Sequence, residues 1–167
     1  MTSLELIQTA RLFLEPLRTE HAGEMLDVLS DDRLYRFIGG QPPTYAELVD
    51  QYTRQVVGHS ADCSERWLNW IVREAETQAA TGYVQATVDS EPAVAAVAWV
   101  IGTRHQGRGY ATEAATAMVA WLRADGVGRV MADVHPEHHA SNAVARRLGL
   151  APTGEIVDGE LRWAYDA

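Results

Sequence analysis

The first 57 residues contain one strand pattern followed by two helical patterns. Apolar and polar side chains alternate over residues 11–17, and this period of two predicts a strand. Apolar residues recur at helical spacing over 19–29 and again over 44–57. The second helix is expected to begin at Thr44, because Thr44 and Glu47 have the spacing of a capping box.

The rest of the chain mixes strand and helix patterns. Three runs rich in β-forming residues are predicted as consecutive antiparallel strands, at 67–73, 82–88 and 93–101. Helical periodicity then predicts helices over 112–124 and 141–148, separated by a strand over 129–135. Two last strands, at 153–157 and 160–165, flank a tight turn at Asp158-Gly159.

This order of elements predicts an α/β (α+β) fold. Helices, about four of them, would cover a mixed but mostly antiparallel sheet of about seven strands. Strands 93–101 and 129–135 are joined through a helix, so they should run parallel. The 167 residues fit a single domain, residues 1–167, with one core.

The segment Arg104–Thr112 follows a strand pattern directly and opens a helix. The amides of such a turn have no internal partners, and the helix dipole adds positive charge at the same place. Gly107 and Gly109 allow a close backbone approach, while Arg104 and Arg108 supply cationic side chains. The segment predicts a pyrophosphate-binding loop, although glycines at this spacing also occur in ordinary strand-to-helix turns.

Two other nucleotide-binding motifs do not match the chain. It contains no Gly-x-x-x-x-Gly-Lys-Ser/Thr run, which excludes a P-loop. The Rossmann spacing requires glycine where this chain has Thr112, and it normally lies in a first strand–helix unit. A nucleotide-binding fold is therefore only a third hypothesis.

Composition narrows the possible partners. The net charge of −9 argues against nucleic acid and allows a cationic or amine-bearing substrate. No apolar run is long enough to span a membrane, and the first residues do not resemble a signal peptide. Cys63 is the single cysteine and cannot form an internal disulfide, so we expect a cytoplasmic protein.

The run Arg104-His105-Gln106-Gly107-Arg108-Gly109 resembles the coenzyme A signature of the GNAT acetyltransferases, Arg/Gln-x-x-Gly-x-Gly/Ala. Its continuation to Ala114 is similar to the RimJ/RimL branch, which resembles ribosomal-protein N-terminal acetyltransferases. Residues 9–17 and 140–150 resemble the first strand and the last helix of that branch. The resemblance therefore covers nearly the whole chain.

The resemblance implies a GNAT fold in which acetyl-CoA lies between two splayed parallel strands, 93–101 and 129–135. It implies an enzyme that transfers acetyl from acetyl-CoA to a primary amine by direct attack, without a metal. The acceptor would be a protein N-terminus or a small-molecule amine, and a homodimer is compatible with the family. The residues expected to bind the cofactor are Trp99, Val100, Ile101, Arg104, Gln106, Gly107, Arg108, Gly109, Tyr110, Ala111, Thr112, His138, Ser141 and Arg146.

Acetyl transfer to an amine requires a base, donors for the oxyanion and an acid for the leaving thiolate. The resemblance places Ser141 near the sulfur as the acid, although a serine at a helix start is equally typical of an N-cap. The tyrosine that some family members use in this helix is replaced by Ala145. For the base, Asp133 and His135 share a strand face, and His135 has the better intrinsic pKa.

Several alternatives remain open at this stage. Glu65 and Glu74 are further candidates for the base. The family usually has asparagine where this chain has His138, and zinc held by His135, His138 and His139 is conceivable but weakly supported. The segment with Tyr35, Phe37 and Gly39-Gly40 either walls the acceptor side or, the favoured interpretation, merely links two helices. A non-catalytic acyl-CoA-binding module is the alternative to an enzyme.

Overall fold

The positions of the strands and helices agree closely with the sequence pattern. The computed structural model describes residues 3–91 and 93–166. Its elements are β1 (Ile7–Gln8), β2 (Leu12–Pro16), α1 (Ala22–Val28), α2 (Tyr35–Ile38), α3 (Tyr45–Gln55), β3 (Glu65–Glu74), β4 (Ala80–Asp89), β5 (Val94–Ile101), α4 (Tyr110–Ala124), β6 (Arg129–Val134), α5 (His139–Arg147), β7 (Ala151–Val157) and β8 (Glu160–Asp166). The additional strand β1 and helix α2 are too short to produce a periodic signal.

The strands form one sheet in the order β1-β2-β3-β4-β5-β6-β8-β7. Every neighbouring pair is antiparallel except β5 and β6, which are parallel. The predicted fold class is therefore confirmed, with eight strands rather than seven. None of the helices in the described ranges is long and apolar enough to cross a membrane.

Helices cover both faces of the sheet because its central strands are apolar on both sides. On one face, Trp70 packs in a cluster with the buried side of α4, including Met118 and Leu122. On the other face, Ile71 packs in a second cluster with Met25 of α1 and residues of α3. Adjacent strand residues point to opposite faces, so β3 joins the two clusters. Polar residues on the second face of the sheet lie under α2 and α3, where they line a cavity.

Strands β5 and β6 separate soon after they begin. Their register covers only Val94↔Arg129, Ala95↔Val130 and Ala96↔Met131. Beyond Ala96, β5 continues along β4 as far as Ile101, and β6 continues along β8 as far as Val134. The two parallel strands therefore enclose a V-shaped cleft that opens at their carboxyl ends, in agreement with the expected splay.

Gly82 lets β4 lie close to the strand that lines this cleft. A Cβ at Gly82 would clash with the carbonyl oxygen of Val100 and would lie 2.9 Å from the Cα of Ile101. Backbone atoms cannot move aside as a flexible side chain can. We expect Gly82→Ala to lower the free energy of unfolding by about 2 kcal/mol or more, measured by urea denaturation.

Gly23→Ala is the matched control for this substitution. Gly23 lies in α1, and a Cβ there would meet nothing within 4 Å. Alanine also favours the helical backbone, so stability should stay equal or rise by up to about 1 kcal/mol. Equal stabilities of the two variants would contradict the close approach of β4 and β5.

Candidate active site

The segment Arg104–Thr112, called the glycine loop below, joins the open end of β5 to α4. Gly107 and Gly109 have φ angles of +78° and +79°, and Gly109 is the N-cap of α4. The amides of residues 107–112 donate no backbone hydrogen bond within the described chain. This row of unpaired donors at a helix N-terminus is suited to an anionic group such as a pyrophosphate.

A network from the N-terminal segment holds the glycine loop in place. The Arg11 guanidinium donates to the carbonyl oxygen of Arg108 at 2.9 Å and to Glu113 at 2.7 Å. Glu113 also accepts hydrogen bonds from the Thr9 hydroxyl and the Arg11 amide. Burial alone would raise the pKa of Glu113, but these hydrogen bonds outweigh it and hold the pKa below its usual value.

Two of the residues predicted to bind the cofactor use their side chains to hold the loop. The Gln106 amide donates to the carbonyl oxygen of Ile101 at 2.9 Å, and the Tyr110 hydroxyl donates to Glu74. Because the Tyr110 hydroxyl is engaged by Glu74, a contact of Tyr110 with an anion would use its backbone amide. Glu74 also accepts a hydrogen bond from Thr77, so it belongs to the loop support rather than to the cleft.

The cleft between β5 and β6 brings most of the other predicted residues together. It has a volume of about 210 Å³ and lies where α5 begins. Its lining includes Trp99 and Val100 from β5, Asp133 from β6, and His135, His138 and Ser141 beyond it. It also includes Phe37, whose segment was the less favoured candidate for a cleft wall, and Glu160, which sequence reasoning did not place there.

The two histidines of the cleft each present a hydrogen-bond donor. The Nδ1 atom of His135 accepts from the Glu137 amide at 3.1 Å, and that of His138 accepts from the Ser141 amide at 3.4 Å. In the neutral ring the hydrogen then lies on Nε2. Burial, and secondarily the nearby His135, lower the pKa of His138, which favours this neutral form.

His138, rather than Ser141, caps α5. The helix begins at His139, and its N-cap is His138, so the alternative role of Ser141 as the N-cap is excluded. Ser141 lies within the first turn, and its hydroxyl makes no hydrogen bond with the described residues, although it lines the cleft. The serine therefore keeps a hydroxyl available at the position where the acid was expected.

Phe37 contradicts the favoured interpretation of its segment as a plain link. It lies in the short helix α2 and lines the cleft. Its ring stacks on His138 with centroids 4.7 Å apart and contacts His135 at 5.3 Å. The segment between the first two long helices is thus a wall of the cleft.

The two carboxylates of the cleft differ in their partners. Asp133, a predicted base, accepts two hydrogen bonds of 2.9 Å from Arg162, so both of its carboxylate oxygens have a cationic partner. The Glu160 carboxylate makes no hydrogen bond or ion pair with the residues that the structure describes. Burial, together with the negative charge of Asp133, raises its pKa, so it is the better-placed base.

A register argument could have located Glu160 from the sequence. β8 runs antiparallel to β6 with Val134 opposite Leu161. The next residue of each strand, His135 and Glu160, must then meet at the open end of the cleft. Sequence reasoning identified both strands and the turn between them but did not pair the residues.

The remaining predicted residues lie outside the cleft lining. Arg104 is exposed beside an acidic depression lined by Glu24 and Asp27, and Arg146 lies over the ring of Trp163 at 5.6 Å. Glu65 accepts a hydrogen bond from the Trp67 indole. Across residues 3–91 and 93–166, no three His, Cys, Asp or Glu side chains converge as a metal site.

Comparison with known families identifies the chain. Residues 11–151 match the family described as "Acetyltransferase (GNAT) domain". This match covers most of the sequence, so the protein belongs to the GNAT acetyltransferase family, as the resemblance indicated. A search of curated protein sequences finds no significant match.

Solved structures share the fold at low sequence identity. RimL, a ribosomal L7/L12 alpha-N-protein acetyltransferase in complex with coenzyme A, is 17% identical with a TM-score of 0.84, covering 97% of this chain and 98% of that one. The Salmonella typhimurium enzyme that modifies the N-terminal serine of L7/L12 is 16% identical with a TM-score of 0.81, covering 98% and 99%. The microcin C7 self-immunity acetyltransferase MccE, in complex with acetyl-CoA and AMP, is 16% identical with a TM-score of 0.80, covering 95% and 94%.

The loop network provides a test of how the site is held. Glu113→Gln replaces a carboxylate that accepts several hydrogen bonds, so we expect it to lower the free energy of unfolding by about 1–2 kcal/mol at pH 7. The folded-state pKa of Glu113 is depressed, so its stabilisation is present above the unfolded pKa and is lost as pH falls through the folded pKa. The difference between the two proteins should therefore shrink on acidification.

Urea denaturation at pH 7 and at pH 3 measures both effects. Glu76→Gln is the control, because Glu76 is exposed and should change stability by less than about 0.5 kcal/mol. A difference between wild type and Glu113→Gln that is independent of pH would contradict the assigned role of the carboxylate.

Proposed function

We propose that this protein is an acetyl-CoA-dependent N-acetyltransferase acting on a primary amine. The observation that carries the proposal is the row of unpaired amides at residues 107–112, placed at the open end of the cleft. The N-termini of α4 and α5 both lie at this end, so their dipoles add positive potential where an anion would bind.

The binding side of the site fits coenzyme A in two respects. The glycine loop offers donors to a pyrophosphate. The edge of β5 beyond Ala96 has no strand partner on the β6 side, so its backbone groups are available to amide groups of a pantetheine arm. When bound, acetyl-CoA would supply an acetyl thioester, and the chain would supply orientation and proton transfer.

The residues of the cleft divide the proton transfers between them. Glu160, whose pKa is raised and whose carboxylate forms no ion pair within the described residues, accepts the proton of the attacking amine. The Nε2–H groups of His135 and His138 are donors for the developing oxyanion. The Ser141 hydroxyl donates a proton to the leaving thiolate, and no covalent bond to the protein is needed.

A glycine substitution tests cofactor binding separately from chemistry. In Gly107→Ala the new methyl group would meet no atom of the protein within 4 Å, so it would occupy space beside the unpaired amides. We expect coenzyme A binding, measured by isothermal titration calorimetry, to weaken by about tenfold or more. The left-handed backbone at Gly107 should also lower the free energy of unfolding by about 1 kcal/mol.

Gly126→Ala is matched to this variant. Gly126 follows α4, has a φ of +93° and likewise has nothing within 4 Å of an added Cβ. It should lose similar stability but bind coenzyme A normally. Equal affinity of both variants would overturn the assignment of the glycine loop to the cofactor.

A second substitution tests the base. We expect Glu160→Gln to lower kcat by about 10²–10⁴-fold, the usual contribution of general base catalysis, with little change in the KM of acetyl-CoA. A base acts when deprotonated, so wild-type activity should fall as pH drops through the raised pKa of Glu160. The variant should lack this acidic limb in its pH–rate profile.

Glu155→Gln is the control for the base. Glu155 lies on the exposed strand β7, and its side chain is 57% exposed beside Arg162. It should retain wild-type activity. Tight coenzyme A binding without acetyl transfer to any amine, in wild type as in Glu160→Gln, would establish the non-catalytic acyl-CoA-binding module instead.

A further inference from the structure

A second cavity, called the amide pocket below, lies between the sheet and helices α2 and α3. It has a volume of about 140 Å³. Ile38, Tyr83 and Val100 line both this pocket and the cleft. The amide pocket and the cleft are therefore neighbouring cavities with these three residues at their common boundary.

The polar lining of the amide pocket consists mainly of side-chain amides. These are Gln41, Gln51, Gln55, Asn69 and Gln85. Asn69 and Gln85 are cross-strand neighbours on β3 and β4, which fixes their positions on the floor of the pocket. None of the five side chains makes a hydrogen bond with another described residue. Each therefore keeps both donors and an acceptor for a ligand.

Tyr52 provides an independent indication that a polar ligand belongs here. Its side chain is 3% exposed and lines the pocket, yet its hydroxyl has no hydrogen-bond partner within the described chain. Buried hydroxyls normally have a partner, because an unsatisfied one is costly. The neighbouring Tyr35 follows that rule, since its hydroxyl donates to the Leu29 carbonyl at 2.8 Å.

The amide pocket carries no charge at neutral pH. Its described lining contains no carboxylate, guanidinium, ammonium or imidazole group. The tyrosines remain neutral, since burial raises the pKa of Tyr83 to about 12 and also raises that of Tyr52. A charged group entering this pocket would lose hydration without gaining a counter-charge.

We infer that the amide pocket binds the body of the acceptor, and that the acceptor is an amine whose remainder is uncharged and rich in hydrogen-bonding groups, as in an amino acid amide or an uncharged N-terminal peptide. This inference rests on the proposed acetyltransferase function. It excludes acceptors that carry a second charge beside the reacting amine, among them polyamines and amines bearing a phosphate or carboxylate.

A matched set of amines tests the inference by the release of coenzyme A. Glutaminamide, isoglutamine and argininamide share an α-amine and a carboxamide but carry a neutral, an anionic and a cationic side chain; spermidine completes the set. We expect kcat/KM for glutaminamide to exceed that of each charged amine by about tenfold or more. Equal or higher values for a charged amine would overturn the inference while leaving the acetyltransferase function intact.

A charge placed in the pocket should redirect this preference. Gln85→Glu supplies a carboxylate on the pocket floor, so the ratio of kcat/KM for argininamide over glutaminamide should rise by about tenfold. Gln8→Glu adds the same charge on the distant exposed strand β1 and should leave the ratio unchanged. An equal response of both variants would show that the pocket does not hold the acceptor body.

Tyr52→Phe tests the unpaired hydroxyl directly. It should raise the KM of glutaminamide several-fold, leave the KM of acetyl-CoA unchanged and not lower the melting temperature, because no internal hydrogen bond is lost. An unchanged KM for glutaminamide would overturn this role of Tyr52. Failure of every amine to accept acetyl, with acetyl-CoA bound, would instead disprove the proposed function itself.

Discussion

β5 and β6 are hydrogen-bonded over only three register pairs, whereas each strand pairs over a longer stretch with an antiparallel partner on its other side. As β5 follows β4 and β6 follows β8, the parallel strands part after Ala96. Unpaired strand edges inside a protein are normally avoided, since each exposed amide or carbonyl requires a partner. Here the edges border a cleft, where a ligand can supply the missing hydrogen bonds.

The separation of the two strands also determines where the charged parts of a cofactor can bind. Both α4 and α5 begin just beyond the carboxyl ends of the separated strands, so their unpaired N-terminal amides meet the same opening. The glycine loop can remain open there because other groups stabilise it from behind. Arg11 and Glu113 connect it to β2, and Gln106 connects it to β5.

Local sequence patterns predicted the strands and helices that have a clear hydrophobic period. They also predicted the glycine loop, which joins β5 to α4. The splay of β5 and β6 was available only through the family resemblance, because no local pattern records where a strand leaves its neighbour. Glu160 was missed, and the wall formed by Phe37 was only the less favoured alternative, because each residue reaches the cleft through long-range packing. The N-cap of α5 is His138 rather than Ser141, the cap that residue propensity suggests. The His138 side chain accepts a hydrogen bond from the backbone amide of Ser141, three residues later.

The acidic surface and the neutral amide pocket act at different distances. A net charge of −9 attracts a protonated amine over a range of about 10 Å at moderate salt. That attraction is stronger for a polyamine than for a simple amine, so it cannot select against polyamines. Under the proposed mechanism, discrimination would arise after entry, where Glu160 would remove the proton of one amine while the amide pocket offers no counter-charge to another. Long-range charge would thus govern the encounter, and the lack of charge in the pocket would govern which acceptor reacts.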